Sequence, residues 1–308
     1  MVLMNKIMIG SVFLRVCRVR PVVYYFFLFV MRRLKPVVYR SIRRLKPAVP
    51  LGVPLVFMLS IGLNAQSPYR LNLNREITLT GIGISTGLTG LYLRSTVQPY
   101  EVHDLASLDP ANINALDRGT VHNYSGKADR ASDILLHGSL AAPVLLLAGR
   151  NIRSDPGTVA ILWGETALVV SGITTLTKFA VRRTRPFVYN PSVPADAKTG
   201  IDAKASFFSG HTSFTAANTF FAARVFADYF PHSKWKPVVW SVATTIPAAT
   251  GYLRVKGGKH FPTDVITGYA VGALTGFVVP ELHKAHRTGN TLSLVPGWDS
   301  IGLIWEIR

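Results

Sequence analysis

The stretch TVAILWGETALVVSGITTLTKFAVRRTRP, residues 158–186, decides how the chain folds. From Thr158 to Thr177 it carries a single charge, Glu165, among apolar and small residues. A run of that length reads as one helix, near the length that crosses a membrane. It ends in a cluster of cations closed by Pro186. Similar apolar segments lie at 77–94, 133–149, 212–230, 236–253 and 264–283. Polar connections rich in Pro, Asn and Asp separate them at 97–131, 150–156, 186–208, 231–235 and 254–262. No long alternating run calls for a large sheet. The fold class expected is all-α: a bundle of about six helices, associated with a membrane, with a short β-like tail. In that tail Leu292-Ser293-Leu294 and Leu303-Ile304-Trp305-Glu306-Ile307 flank a Pro296-Gly297 turn signal.

Three domains follow: a leader over 1–65, a helical catalytic domain over 66–285 and a tail over 286–308. Within the leader, basic residues from Arg32 to Lys46 precede the apolar run Val49 to Leu63, and Ala65 offers a cleavage point. An uncleaved anchor helix reads the same way. A short repeat (Arg20-Pro21-Val22-Val23-Tyr24, then Lys35-Pro36-Val37-Val38-Tyr39) and an unusual segment before Met31 point to translation starting at Met31. The segment 77–94, rich in Gly and Thr, is expected to lie on the membrane surface. That arrangement turns the connections carrying the chemistry to the periplasm or exterior; a soluble periplasmic bundle is the other placement.

Composition removes several function classes. The chain has 308 residues and a formal charge of +18, of which residues 1–66 hold eleven Lys/Arg and no acid, leaving +7 for the rest. No nucleic-acid-binding signature accompanies that charge, so nucleic acid is not an expected partner. Cys17 is the only cysteine, so the body has no disulfide, no cysteine-ligated metal and no thiol chemistry.

Three clusters carry chemistry. In Lys178-Phe179-Ala180-Val181-Arg182-Arg183-Thr184-Arg185-Pro186, a helical spacing puts Lys178, Arg182 and Arg185 on one face. Pro186 disfavours helix at Arg185 and frees that side chain. Converging cations call for an anion, although a basic stretch flanking a membrane has the same composition. In Ser206-Phe207-Phe208-Ser209-Gly210-His211-Thr212-Ser213, Ser209 or Thr212 can cap the following helix, and Gly210 lets a ligand approach its free N–H groups. An ordinary capped helix start is the plainer account. In the third cluster Arg254, His260 and Asp264 are spaced Arg-x5-His-x3-Asp, with Pro262 placed to begin a helix. Asp264 can then hold one imidazole nitrogen as N–H and leave the other free to attack; a structural cap pair is the alternative. Metal ligation is not expected, because Arg and Lys surround the pair and no second carboxylate is placed nearby. Asp117-Arg118 and the run Asp129 to Asp133 are charged enough for a structured loop near the site, or for a solvated connection.

In this order the clusters resemble the type 2 phosphatidic acid phosphatase superfamily, which includes bacterial acid phosphatases, lipid phosphatases and vanadium haloperoxidases. The family pattern is Lys-x6-Arg-Pro, Pro-Ser-Gly-His and Ser-Arg-x5-His-x3-Asp. This chain has Lys178-x6-Arg185-Pro186, Phe208-Ser209-Gly210-His211 and Leu253-Arg254-x5-His260-x3-Asp264. Phe208 and Leu253 depart from it at positions that supply no reacting atom. The resemblance implies a phosphatase without metal or cofactor, with His260, His211 and Asp264 catalytic and Lys178, Arg185, Ser209, Gly210 and Arg254 binding phosphate. The implied substrate is a phosphorylated lipid or a small phosphomonoester. The implied intermediate is a phosphohistidine at His260; phosphotransfer through the same intermediate, a vanadium haloperoxidase and a non-catalytic anion- or lipid-binding membrane protein are the alternatives.

Overall fold

The structure, a computed structural model, describes residues 67–285 and the backbone of 291–296 and 301–306. The leader expectations for 1–65, including cleavage and the Met31 start, lie outside the described residues. The described chain is helical, with six long helices: α1 Leu73–Ser95, α2 Gly126–Ser139, α3 Pro156–Val181, α4 Gly210–Tyr229, α5 Lys236–Lys256 and α6 Pro262–Leu282. In the tail β1 Thr291–Pro296 pairs antiparallel with β2 Ile301–Glu306, the hairpin expected there.

Local chemistry sets the helix ends. Asn72 caps α1 by accepting from the Asn74 and Arg75 N–H groups. Ser125 and Ser209 cap α2 and α4 by accepting from the N–H groups of Ala128 and Thr212. Pro156 and Pro262 open α3 and α6 at the first helical position. One boundary departs from the sequence reading. The second helix was expected at 133–149; instead α2 starts at Gly126 and breaks after Ser139 into the short turns Ala141–Leu145 and Leu146–Ala148. The Ser125 cap recruits the polar segment 126–132 into the helix, and hydrophobic periodicity does not see a polar first turn.

Small residues set how closely the helices pack. Along α6, Gly268, Gly272 and Gly276 lie against Ser209, Ser213 and Ala217 of α4, and a methyl group at any of them would run into the facing backbone. Along α1, Gly83 and Gly90 meet Leu168 and Leu176 of α3, while Gly172 of α3 meets Gly83 and Thr86. Such four-residue spacings of small residues let helix backbones approach. Residue numbers rise together at both seams, so α1 runs parallel to α3, and α4 to α6. The glycines of 77–94, the segment expected at the membrane surface, pack α1 lengthwise along α3. With α5 reversed (Gly251 meets Val265 and Thr212), the helices alternate in direction. The N-termini of α2, α4 and α6 and the C-termini of α3 and α5 share one end.

Among the described residues three segments are long and apolar enough to cross a membrane: Gly126–Ala148, Pro156–Tyr189 and Pro262–Leu282. The 21 residues of α6 span about 31 Å, near the roughly 30 Å of a hydrocarbon core. Ile77 and Leu88 of α1, Val238 and Val242 of α5 and Ile266 and Leu274 of α6 are exposed and apolar, as a lipid-facing surface requires. Inside, Ile152, Leu162, Phe221, Val225 and Tyr229 form a core cluster. Ile113, Val121 and Phe261 form another, under the loops between helices.

The close seams predict an asymmetry between two glycines. Gly272→Ala should destabilise by about 1–3 kcal/mol because the α4 backbone cannot move aside. Gly164→Ala, with open space around it, should be neutral or slightly stabilising. Thermal unfolding of the two variants in detergent compares them directly; equal midpoints would contradict the seam.

Candidate active site

His260 sits in the turn between α5 and α6 and is almost wholly buried, with 1% of its surface exposed. The turn needs Gly258, at φ +71°, where a side chain would strike the Asn123 carbonyl. The ring is held at Nδ1, 2.7 Å from the Ser206 carbonyl oxygen. A carbonyl only accepts, so Nδ1 carries the proton and Nε2 keeps its lone pair. The Asp264 carboxylate expected to hold that nitrogen is further off, at 3.6 Å.

Burial, followed by the charges of Lys178, Arg185 and Arg254, pushes the His260 pKa well below the usual imidazole range. Those three cations are the ones the motifs singled out. Lys178 Nζ donates to the Ala205 carbonyl at 2.6 Å, and its chain passes the α-carbon of Gly210. Arg185 Nε donates to the Asp202 carbonyl at 2.8 Å. Arg254, 4% exposed, comes from the last turn of α5. Ser209 is fully buried at the α4 cap, where its hydroxyl pairs with that of Thr212 at 2.9 Å. His260 thus lies among three cations, beside the capped start of α4, as an anion-binding pocket requires.

Arg182 does not join them. The α3 helix ends at Val181 and Arg182 turns left-handed at φ 52°, so its guanidinium points to Thr96 and the Phe179 carbonyl. The face drawn through Lys178, Arg182 and Arg185 assumed a helix that Pro186 does not allow to continue. The next residue takes the inward role: Arg183 donates to Asp264 Oδ1 at 2.5 Å and to Asp117 Oδ2 at 2.6 Å. Asp264, with no exposed surface, also accepts the Ser206 hydroxyl at 2.5 Å and the Phe261 N–H at 2.9 Å. Asp117, equally buried, binds the Thr263 hydroxyl and N–H. Although burial alone raises its pKa, these donors hold the Asp117 carboxyl below its ordinary value.

The second group that sequence reasoning left open comes from α2. Asp129 pairs with Arg254 and, at 3.2 Å, with Lys259. Asp133 Oδ1 lies 2.7 Å from His211 Nε2. The expectation that no second carboxylate stands nearby is corrected: the α2 N-terminus brings two. Each faces a cation or an imidazole, so they act as counter-charges in the free protein. His211 is pushed down to about 4 by burial first and then by the Arg254 charge, against the pull of Asp133. An apolar cavity of about 390 Å³ lies apart from the charged end, lined by residues such as Leu146, Ala222, Phe226 and Val242.

The stretch that gathers these groups also has known counterparts. Residues 160–287 match the PAP2 superfamily. The match contains all three motifs, from Lys178 to Asp264. Over 85 residues the chain is 35% identical to a lipid A 4'-phosphatase of Porphyromonas gingivalis, a segment covering 28% of this chain and 33% of that protein. The chain therefore spans about a third of the length of that curated relative. A transmembrane PAP2-type phosphatidylglycerolphosphate phosphatase from Bacillus subtilis superposes with a TM-score of 0.41 at 22% identity, over 65% of this chain and 94% of its own.

Within this PAP2-like segment Arg183 is the cation whose loss should be felt in folding. Arg183→Met leaves the Asp117 and Asp264 carboxylates buried without their shared counter-charge. The expected cost is about 3–5 kcal/mol. Chemical denaturation in detergent would measure it, and a variant as stable as the parent would contradict the bridging role.

Proposed function

We propose that this protein is a phosphatase that removes the phosphoryl group from a membrane lipid phosphate, without a metal ion, through a phosphohistidine at His260. We assign residues 66–285 as its catalytic domain. One observation carries the reading: a buried histidine with its Nδ1 proton tied to a carbonyl stands among Lys178, Arg185 and Arg254. The PAP2 match over the same residues supports it, as do the apolar helices and the lipid phosphatase relative.

Each residue then has a task. Lys178, Arg185 and Arg254, with the Ser209 hydroxyl and the Gly210 N–H, bind the non-bridging oxygens and stabilise the charge spread over them in the transition state. His260 Nε2 gives its lone pair to phosphorus as the bond to the leaving oxygen breaks. His211 supplies the proton that oxygen takes up. It then takes a proton from water, whose oxygen attacks phosphorus and releases His260 and inorganic phosphate. Asp264 positions the Ser206 loop and the start of α6 around His260, and Asp133 orients the His211 ring. The membrane puts the preferred substrate among lipids, a glycolipid phosphate foremost. The enzyme resides in the cell envelope with its site facing the periplasm or exterior.

Detergent-purified protein should release phosphate from glycolipid phosphate, phosphatidate, isoprenyl diphosphate and p-nitrophenyl phosphate in EDTA, most efficiently from one of the lipids. His260→Ala should abolish turnover. Arg254→Ala should lower it about 10²–10³-fold, as loss of one transition-state donor does, and vanadate should inhibit. Intact cells should hydrolyse added p-nitrophenyl phosphate, whereas activity found only after permeabilisation would put the site on the inner face. Wild-type turnover in purified His260→Ala protein would refute the mechanism.

The depressed His211 pKa sets a pH dependence. At about 4 the ring is neutral in the free enzyme at pH 5–7, so the proton that His211 passes to the leaving oxygen must enter with a monoanionic substrate. A phosphate monoester loses that proton at about pH 6. The kcat/KM for p-nitrophenyl phosphate should therefore be level between about pH 4 and 6 and fall about tenfold per unit above that. A pH–rate profile with an alkaline optimum would contradict this assignment.

A further inference from the structure

At the end of the bundle away from His260, three helices bring charged groups together inside the protein. Glu76 lies in the first turn of α1, Glu165 is the one charge in the apolar first part of α3, and His283 closes α6. One donor atom from each falls within 4.8 Å of the other two. His283 Nε2 is 2.8 Å from Glu76 Oε2 and 3.1 Å from Glu165 Oε2. His283 has no exposed surface and Glu165 has 5%. The α6 helix alone sets this cluster about 30 Å from the His260 end.

The hydrogen bonds show what the cluster lacks. His283 Nδ1 lies 2.7 Å from the Val279 carbonyl oxygen, so it carries a proton and donates. Nε2 therefore faces two carboxylates, and a single N–H there can serve one. The contact to Glu76 has hydrogen-bond geometry. Glu165 is left with neither oxygen hydrogen-bonded, although both are buried. Beside it stand the same imidazole, at 3.1 Å, and the like-charged Glu76 carboxylate. Arg75 stands near Glu76, but 3.5 Å from the other oxygen, Oε1, which also accepts the Asn72 N–H; its Nη1 and Nη2 donate to the backbone carbonyls of Leu282 and Arg70, and its buried Nε has no partner. A buried carboxylate in this condition calls for a cation inside the cluster.

We propose that Glu76, Glu165 and His283 bind a divalent transition metal, zinc before others, which ties α1 to α3 and α6. A neutral imidazole and two carboxylates balance a dication, and the mixed nitrogen and oxygen donor set suits zinc better than calcium or magnesium. The proton on Nδ1, given to a backbone carbonyl, is the outer bond that orients a metal-ligating histidine. Bonds of about 2.0–2.2 Å in a tetrahedron hold donor atoms about 3.3 Å apart. The 2.8 and 3.1 Å separations reach that by opening less than an ångström, and water takes the fourth position. The metal is structural, and the chemistry at His260 does not use it.

Zinc content and thermal unfolding test this directly on the full chain in detergent. Protein loaded with zinc sulfate and desalted should retain about one zinc per chain by mass spectrometry. Its midpoint should rise by several degrees with zinc and return with EDTA. Glu165→Gln and His283→Gln, checked for native helix content by circular dichroism, should lose the bound zinc and the response. Phosphate release at 25 °C should continue in EDTA, so failure of the zinc site and failure of the His260 reading give different results. Wild-type protein that keeps no zinc, and whose midpoint ignores both zinc and EDTA, would overturn the proposal without recourse to the variants.

Discussion

The charged end of the molecule depends on one buried carboxylate. Asp264 has no contact with solvent, so its negative charge must be matched by donors inside the protein. It takes them from three directions: Arg183 after α3, Ser206 in the loop before α4, and the Phe261 N–H at the start of α6. Its backbone carbonyl accepts the Ser209 N–H at 3.0 Å. A single residue, through side chain and backbone, thereby sets the Ser206 carbonyl that fixes the His260 tautomer and the Ser209 cap that aims the α4 N-terminus. Asp264 reaches the imidazole chiefly through the loop it holds, and less through their 3.6 Å approach.

Placing so much positive charge together is itself a folding problem. Three helix N-termini end beside Lys178, Arg185 and Arg254, and all of them repel one another in a poorly hydrated space. The free protein relieves this with Asp129 and Asp133, set four residues apart on one face of α2 and directed at Arg254 and His211. Rigid framing makes the arrangement possible. The glycine seams bring α4 against α6 and α1 against α3 at backbone distance, so the helix ends carry their side chains to fixed positions.

The opposite end is held by ion pairs as well, but of a different kind. Arg224 pairs with Asp228 at 3.1 Å and with Glu281; Lys284 reaches Asp228 at 3.1 Å, and the Tyr69 hydroxyl donates to Asp228 at 2.8 Å. These contacts join the segment before α1 to α4 and α6, next to the Glu76–Glu165–His283 cluster. Between the two polar ends the helices are apolar outward and meet through small residues at the α1–α3 and α4–α6 seams.

Much of this was legible in the chain itself. Apolar runs of helix length, interrupted by Pro, Asn and Asp, determine a helical bundle because burial and backbone hydrogen bonding are local demands of such runs. The spacings Lys178 to Arg185, Ser209 to His211 and Arg254 to His260 were readable because each motif sits within one helix end and its adjoining turn. Tertiary structure alone decided what meets across the bundle. Periodicity carried the helix one turn too far at Arg182, since a left-handed residue before Pro186 leaves little trace in hydropathy, and so it passed over Arg183. It also missed the polar first turn of α2, and with it Asp129 and Asp133 as partners of Arg254 and His211. Those pairings join residues more than seventy positions apart, where the choice among acids and bases is made by which helix ends the glycine seams bring together.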